Sequence, residues 1–295
     1  LCVLVAFLCG CSGETHAEAA SSDTHRETKT TFLTPTADGT VTQETDTATL
    51  DASHQEDGYI TVCYTGQADA VRVQITDPQG VVYTYPVPPQ TEAVLPLSGG
   101  DGAYHVTILE HAYDDLYALC LSWDTEVTIT DEFTPFLYPN LYCWYTADSQ
   151  AVQYGITLSE ESADDLDYVE RVYHYVTENI EYDTDLAANA PLDYLPDIDQ
   201  TMETGKGICF DYAALMTAQL RSQGIPTKLE VGYSGQAYHA WISVYLEEKG
   251  WVDNIISFDG NSWSLMDPTL AASNSAASVK KYVGDGSNYT VKYHY

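Results

Sequence analysis

Three side chains are singled out by their types: the thiol of Cys209, the imidazole of His239 and the carboxylate of Asp267. A thiol becomes a nucleophile when a nearby base removes or holds its proton, and an imidazole acts as that base when a carboxylate orients it. The three follow one another in that order on what read as successive elements. Gly205 and Gly207 flank Lys206 and give a tight turn just before Cys209. Downstream, Ala213, Ala214, Leu215, Ala218 and Leu220 are apolar, strong helix formers. Gly224 then suits a helix C-cap, and Pro226 prevents continuation. Cys209 is therefore expected in the first turn of a helix. There the unpaired N–H groups and the positive dipole end favour a thiolate and offer donors to an oxyanion. Lys228–Tyr233 and Tyr238–Tyr245 read as strands, with His239 at the beginning of the second. Trp263–Thr269 reads as a short strand ending in Asp267 and Pro268.

A lone cysteine is most often a small buried hydrophobe. The preceding glycines, the helix start and the downstream histidine and aspartate set Cys209 apart from that pattern. Asp253 and Asp259 compete with Asp267, which the following Pro-Thr favours. Asp211 and Tyr212 are expected to serve the helix start and its packing.

The stretches GKGICFDYAALMTAQLRSQGIPTKLEVGY, YHAWISVY and SWSLMDPT resemble the core of the transglutaminase-like superfamily, cysteine enzymes of papain-like fold. The resemblance covers Ile180–Leu270. It implies an α+β core in which a helix carrying the cysteine packs on an antiparallel sheet. It also implies Cys209 as nucleophile, His239 as general base and acid, and Asp267 as its orienter. Family members carry a hydrophobic-Tyr-Asp stretch before the cysteine, and Ile180–Asp183 (IEYD) is similar to it. Tyr182 is accordingly expected either to line the cleft and donate to an oxyanion or simply to pack, with Gln200 as a rival donor. Trp241, Trp251 and Trp263 are expected to wall the cleft. The superfamily contains amide cross-linkers, peptidases, deglycosylating amidases and non-catalytic members. The expected chemistry is acyl transfer through a Cys209 thioester, with hydrolysis favoured over cross-linking because no feature marks an amine-acceptor site. No cofactor is called for. Asp193, Asp197 and Asp199 do not match a calcium-loop spacing, so no metal is expected.

The remainder of the chain frames this core. Its 295 residues are enough for two domains. With 44 acidic against 11 basic side chains, its surface repels nucleic acid, which is excluded as a partner. Leu1–Gly10 (LCVLVAFLCG) is too short to span a membrane as a helix. With Cys11 it resembles the end of a bacterial lipoprotein signal peptide, so residues 1–11 read as a lipobox segment with Cys11 lipidated. The alternative is an ordinary secretion signal. Residues 12–55 are rich in Thr, Ser, Asp, Glu and Ala and read as a disordered tether.

Residues 56–132 carry short alternating runs separated by turn signals. Tyr59–Tyr64, Val71–Thr76, Val81–Val87, Glu92–Leu97, Tyr104–Leu109, Tyr117–Trp123 and Glu126–Thr130 predict a small β-sandwich with nothing catalytic in it. Cys63 and Cys120 fall in separate strands, and spacing does not decide whether they pair. Residues 133–158 read as an aromatic connector, and 159–295 as the catalytic domain. That domain opens with a helix over Ser159–Ile180, has a loop at Leu192–Thr204, and closes with a hairpin of Val279–Val283 and Tyr289–Tyr295. The expected setting is the extracellular face of a bacterial membrane, with proteins, peptides or cell-wall peptides as substrates. The competing reading is a non-catalytic surface binding or structural envelope protein that uses the same groove.

Overall fold

Alternation shapes the first half of the chain. Val71, Val73 and Ile75 are buried while Arg72, Gln74 and Thr76 are not, the period of a strand with one face on a core. The computed structural model describes residues 25–234, 236–258, 263–265 and 289–295. Within them, one antiparallel sheet runs β1 (Thr42–Glu44), β2 (Ala48–Asp51), β3 (Tyr59–Tyr64) and β6 (Glu92–Pro96). The other runs β5 (Val82–Val87), β4 (Val71–Thr76), β7 (Gly102–Tyr113) and β8 (Leu116–Val127). Their apolar faces meet in a core that includes Leu50, Ile60, Val62, Val73, Val106 and Ile108. Where two strands were expected after Tyr117, β8 runs unbroken and pairs with β7 along its length. Cys63 and Cys120 stand on different sheets and are both free, with Cys120 Sγ 3.2 Å from the Thr47 hydroxyl.

The tether expectation fails for the described part of residues 12–55. Thr42–Asp51 supplies β1 and β2, and Ala48 and Leu50 are buried in the core. Upstream, Arg26 donates to Asp165 Oδ1 at 2.6 Å, to Ser159 Oγ at 2.7 Å and to the Gln223 carbonyl, with its guanidinium over the Tyr168 ring. A polar segment is ordered here by pairing its backbone and a single arginine with surfaces others have built. An entropy argument limited to the segment's own apolar residues misses that.

The second half is organised around α5 (Cys209–Ser222), whose residues from Asp211 onward are all buried. A helix buried on every side is enclosed by other elements. On one side lie α1 (Gln150–Glu160), α2 (Asp165–Asn179) and α4 (Ile198–Thr204); on the other are β11 (Thr227–Ser234) and β12 (Ala237–Leu246). The sheet continues through β13 (Gly250–Phe258) and β14 (Trp263–Leu265), in the order β14-β13-β12-β11-β15, with β15 (Tyr289–His294) at one edge.

The single helix expected over Ser159–Ile180 is two. α1 ends at Glu160, and Asp164 caps α2 by accepting the Asp167 N–H at 2.8 Å, so helical structure begins inside the expected connector. The expected loop at Leu192–Thr204 ends in α4, capped by Asp197. β15 pairs with β11, and the Val279–Val283 half of the expected hairpin lies outside the described residues. Arg221 is 1% exposed and joins the halves: it donates to the carbonyls of Thr227, Tyr138 and Tyr295 at 2.6–2.9 Å. Beside it the rings of Tyr85, Tyr142 and Tyr295 pack together, so the sandwich and the helical unit share one core.

Candidate active site

The start of α5 is assembled by close backbone approaches. Gly205 ends α4 at φ 63°, a left-handed conformation open to glycine. β10 (Lys206–Gly207) then pairs in parallel with β9 (Glu181–Tyr182), setting Tyr182 opposite Gly207 and hence beside Cys209. A Cβ on Gly207 would lie 2.7 Å from the Asp211 Cβ. Without one, Asp211 reaches back to accept the Ile208 N–H at 2.8 Å with one oxygen and the Tyr194 hydroxyl at 2.7 Å with the other. Burial pushes this carboxyl above its ordinary range. The sequence assigned Asp211 to the helix start, and this is the contact that does it.

Cys209 is the first residue of α5 and half-buried. The backbone N–H groups of Ala240 and Phe210 point at its sulfur. Burial nonetheless pushes the thiol above its ordinary value, and the Asp211 charge acts in the same direction. The thiolate expected from the helix start is therefore not the resting form; desolvation outweighs the helix end. His239 faces Gly232 across the β11–β12 ladder and is 8% exposed. Burial lowers its imidazole to about 4, and its Nε2 has no hydrogen-bond partner among the described residues. Cys209 and His239 line one cleft of about 710 Å³. At neutral pH they face it as neutral thiol and neutral imidazole. The Tyr182 hydroxyl lies against both the backbone N–H and the thiol of Cys209, raised by burial and by that neighbour.

Three expected cleft residues are elsewhere. Gln200 is exposed on α4 and does not line the cleft. Trp241 is 1% exposed and lies behind His239, its ring stacked at 6.2 Å, with its N–H given to Glu230. The strand period puts Trp241 on His239's face of β12, but depth keeps it out of the cleft: it lies one step further into the sheet. Trp251 packs against Phe133, Phe136 and Lys228 rather than in the cleft. Asp267 and Cys11 lie outside the described residues. Among the described residues no group of three His, Cys, Asp or Glu side chains gathers to hold a metal, and no helix is long and apolar enough to cross a membrane.

No local pattern in the chain marks the opposite wall. It comes from the sandwich, through Arg72, Thr84 and Pro86, and from the segment after α3 (Thr184–Asn189), through Pro191, Leu192 and Asp193. Phe210 and Tyr142, with ring centroids 5.2 Å apart, make the cleft aromatic beside the thiol.

A cysteine at a helix start that shares a cleft with a strand histidine fits the comparison with known families, in which residues 152–254 match the model of the transglutaminase-like superfamily. That segment is similar to the core of the transglutaminase-like superfamily. It holds α1 through most of β13, and so contains both Cys209 and His239. A Bacillus subtilis protein, the uncharacterized YebA, is 29% identical over 118 residues, which is 33% of this chain and only 16% of that protein. Among solved structures, a candidate cysteine protease from Cytophaga hutchinsonii aligns over 72% of this chain and 67% of its own, at 14% identity and a TM-score of 0.34. Red sea bream transglutaminase aligns over 72% of this chain and 48% of its own, at 13% identity and a TM-score of 0.30. Superpositions this loose add no weight. The mixed helix and antiparallel-sheet architecture stands on the fold itself, and the likeness of its core to the transglutaminase-like superfamily on residues 152–254.

Proposed function

We propose that the chain acts on carboxamide or peptide bonds through an acyl thioester on Cys209. The observation that carries this reading is the shared cleft: Cys209 and His239 line it together, and the Tyr182 hydroxyl meets the Cys209 N–H beside the sulfur. Neutral His239 takes the thiol proton as sulfur attacks the carbonyl carbon, so no preformed ion pair is needed. The new C–S bond leaves an oxyanion, to which the Cys209 N–H and the Tyr182 hydroxyl donate. His239 returns the proton to the departing amine or ammonia as the C–N bond breaks. Water, or a second amine, then attacks the thioester and restores the thiol.

Asp267 belongs to the proposal as the acceptor for His239 Nε2. It is supported by chain order and by the unpartnered state of that buried nitrogen among the described residues. Hydrolysis is favoured over cross-linking. The proposed setting is the outer face of a bacterial membrane, held by a lipid on Cys11, with proteins, peptides or cell-wall peptides as substrates. Release from membranes in Cys11→Ala checks the anchor.

The raised thiol is the one observation that favours the competing reading, a groove that binds without turnover. Trapping separates the two. The protein is incubated with a panel of glutamine-containing peptides, quenched in acid, and examined by mass spectrometry for an acyl adduct on Cys209 that hydroxylamine releases. The adduct should form in the unsubstituted protein and vanish in Cys209→Ala and His239→Ala. An adduct-free Cys209 across the panel, with peptide still bound, would establish the binding reading instead.

A further inference from the structure

The side chain that the sandwich brings to the cleft is a guanidinium. Arg72 stands on the outward face of β4, between buried Val71 and Val73, beside Thr84 and Pro86 of β5. Among the described residues lining the cleft it is the only cationic side chain, in a chain with 11 basic against 44 acidic residues. The aromatic floor connects it to the nucleophile. Phe210 follows Cys209 and packs on Tyr142, and the charges of Arg72 and Asp193 both act on the Tyr142 hydroxyl.

Arg72 Nη2 donates to Asp193 Oδ1 at 2.5 Å. Asp193 sits between α3 and α4 with its side chain 47% exposed, next to the fully exposed Leu192. The Arg72 side chain is 21% exposed, so the pair is open to water on the Asp193 side, where hydration competes with the partner. Arg72 Nη1 donates to the Val71 carbonyl at 3.2 Å, which holds the guanidinium in place, so Asp193 is an exchangeable carboxylate on its Nη2 edge. We propose that Arg72 is a carboxylate subsite: the cleft takes a peptide amide that also carries a carboxylate a short distance from the reacting carbonyl, and this carboxylate replaces Asp193. The inference deepens the acyl-transfer reading and rests on it for the identity of the reacting bond. It makes the sandwich a selector of acidic peptides.

The test uses fluorescein-labelled glutamine peptides extended by one to four glycines, each as the free C-terminal acid and as the amide. Binding to Cys209→Ala is read by anisotropy. At one length the acid should bind about tenfold more tightly than the amide. Arg72→Gln should bring that ratio to near one, and Asp193→Asn, which frees the guanidinium, should increase it. If the pair merely latches the loop, both variants break the same latch and shift acid and amide together, which overturns the subsite. An acid-to-amide ratio of one at every length, or no binding by any acid form, overturns it too. Acyl-enzyme formation by the Cys209 protein on the same peptides is scored separately. An acid preference without any acyl-enzyme defeats the acyl-transfer reading and upholds the subsite; acyl-enzyme without acid preference does the reverse.

Discussion

The indole N–H of Trp241 donates to Glu230 Oε2 at 2.6 Å, straight across the β11–β12 ladder that pairs the two residues. The Ser243 hydroxyl gives its proton to the same oxygen at 2.8 Å, and all three residues are buried. Trp241 in turn stacks on His239, so this carboxylate holds the surface against which the imidazole rests. Glu230→Ala removes the buried oxygen that both donors share and should cost about 2–4 kcal/mol in urea unfolding. Glu230→Gln keeps an acceptor oxygen and should cost less. Wild-type stability in the alanine variant would refute the role.

The Gly207–Asp211 approach predicts a coupling rather than two separate losses. Asp211→Ala removes the acceptor for the Ile208 N–H and should cost about 1–2 kcal/mol. Gly207→Ala drives a methyl into the Asp211 Cβ and displaces the same cap. In the Asp211→Ala background the glycine substitution should therefore cost clearly less than in wild type. Additive losses in the double-mutant cycle would mean that Gly207 is needed for some other reason.

Much of the site is legible in the sequence because its signals are local. Helix formers bounded by Gly224 and Pro226 locate α5, and alternation locates β11 and β12, so residue pattern alone puts Cys209 and His239 on their elements. Tyr182 reached the cleft through a family likeness; its physical cause, pairing with Gly207, is a two-residue ladder with no pattern of its own. Trp241 and Gln200 failed because residue type says nothing of depth or facing. Arg72 was invisible for a different reason. It reads as the polar half of an alternating strand, and only the docking of the sandwich turns that face into a wall of the cleft. The thiol was misjudged because a helix start can be read from sequence and the burial that outweighs it cannot.

The buried imidazole gives the pH dependence of stability a definite sign. His239 titrates at about 4 in the fold and near 6.5 when exposed. Between those values the unfolded chain binds a proton that the folded chain does not, so stability falls as pH drops from about 6.5 towards 4. The whole loss from this group is about 3 kcal/mol. His294, also lowered by burial, acts in the same direction, so the comparison must be differential. Urea midpoints at pH 7 and pH 4.5 should separate less in His239→Gln than in wild type. Equal separation would place the titrating group elsewhere.

The position of the Tyr182 hydroxyl beside the Cys209 N–H separates two reactions of one thiol. Alkylation by iodoacetamide displaces iodide and builds no oxyanion, whereas acylation by a carboxamide does. The alkylation rate should follow the raised thiol, with an apparent pKa above the usual value of about 8.5. Tyr182→Phe removes one donor from the oxyanion and should slow acylation on the order of 10²-fold. Alkylation of the same variant, measured at the same pH, should fall far less. Equal losses in the two reactions would assign Tyr182 to shaping access to the sulfur, and no loss in either would leave it a packed ring.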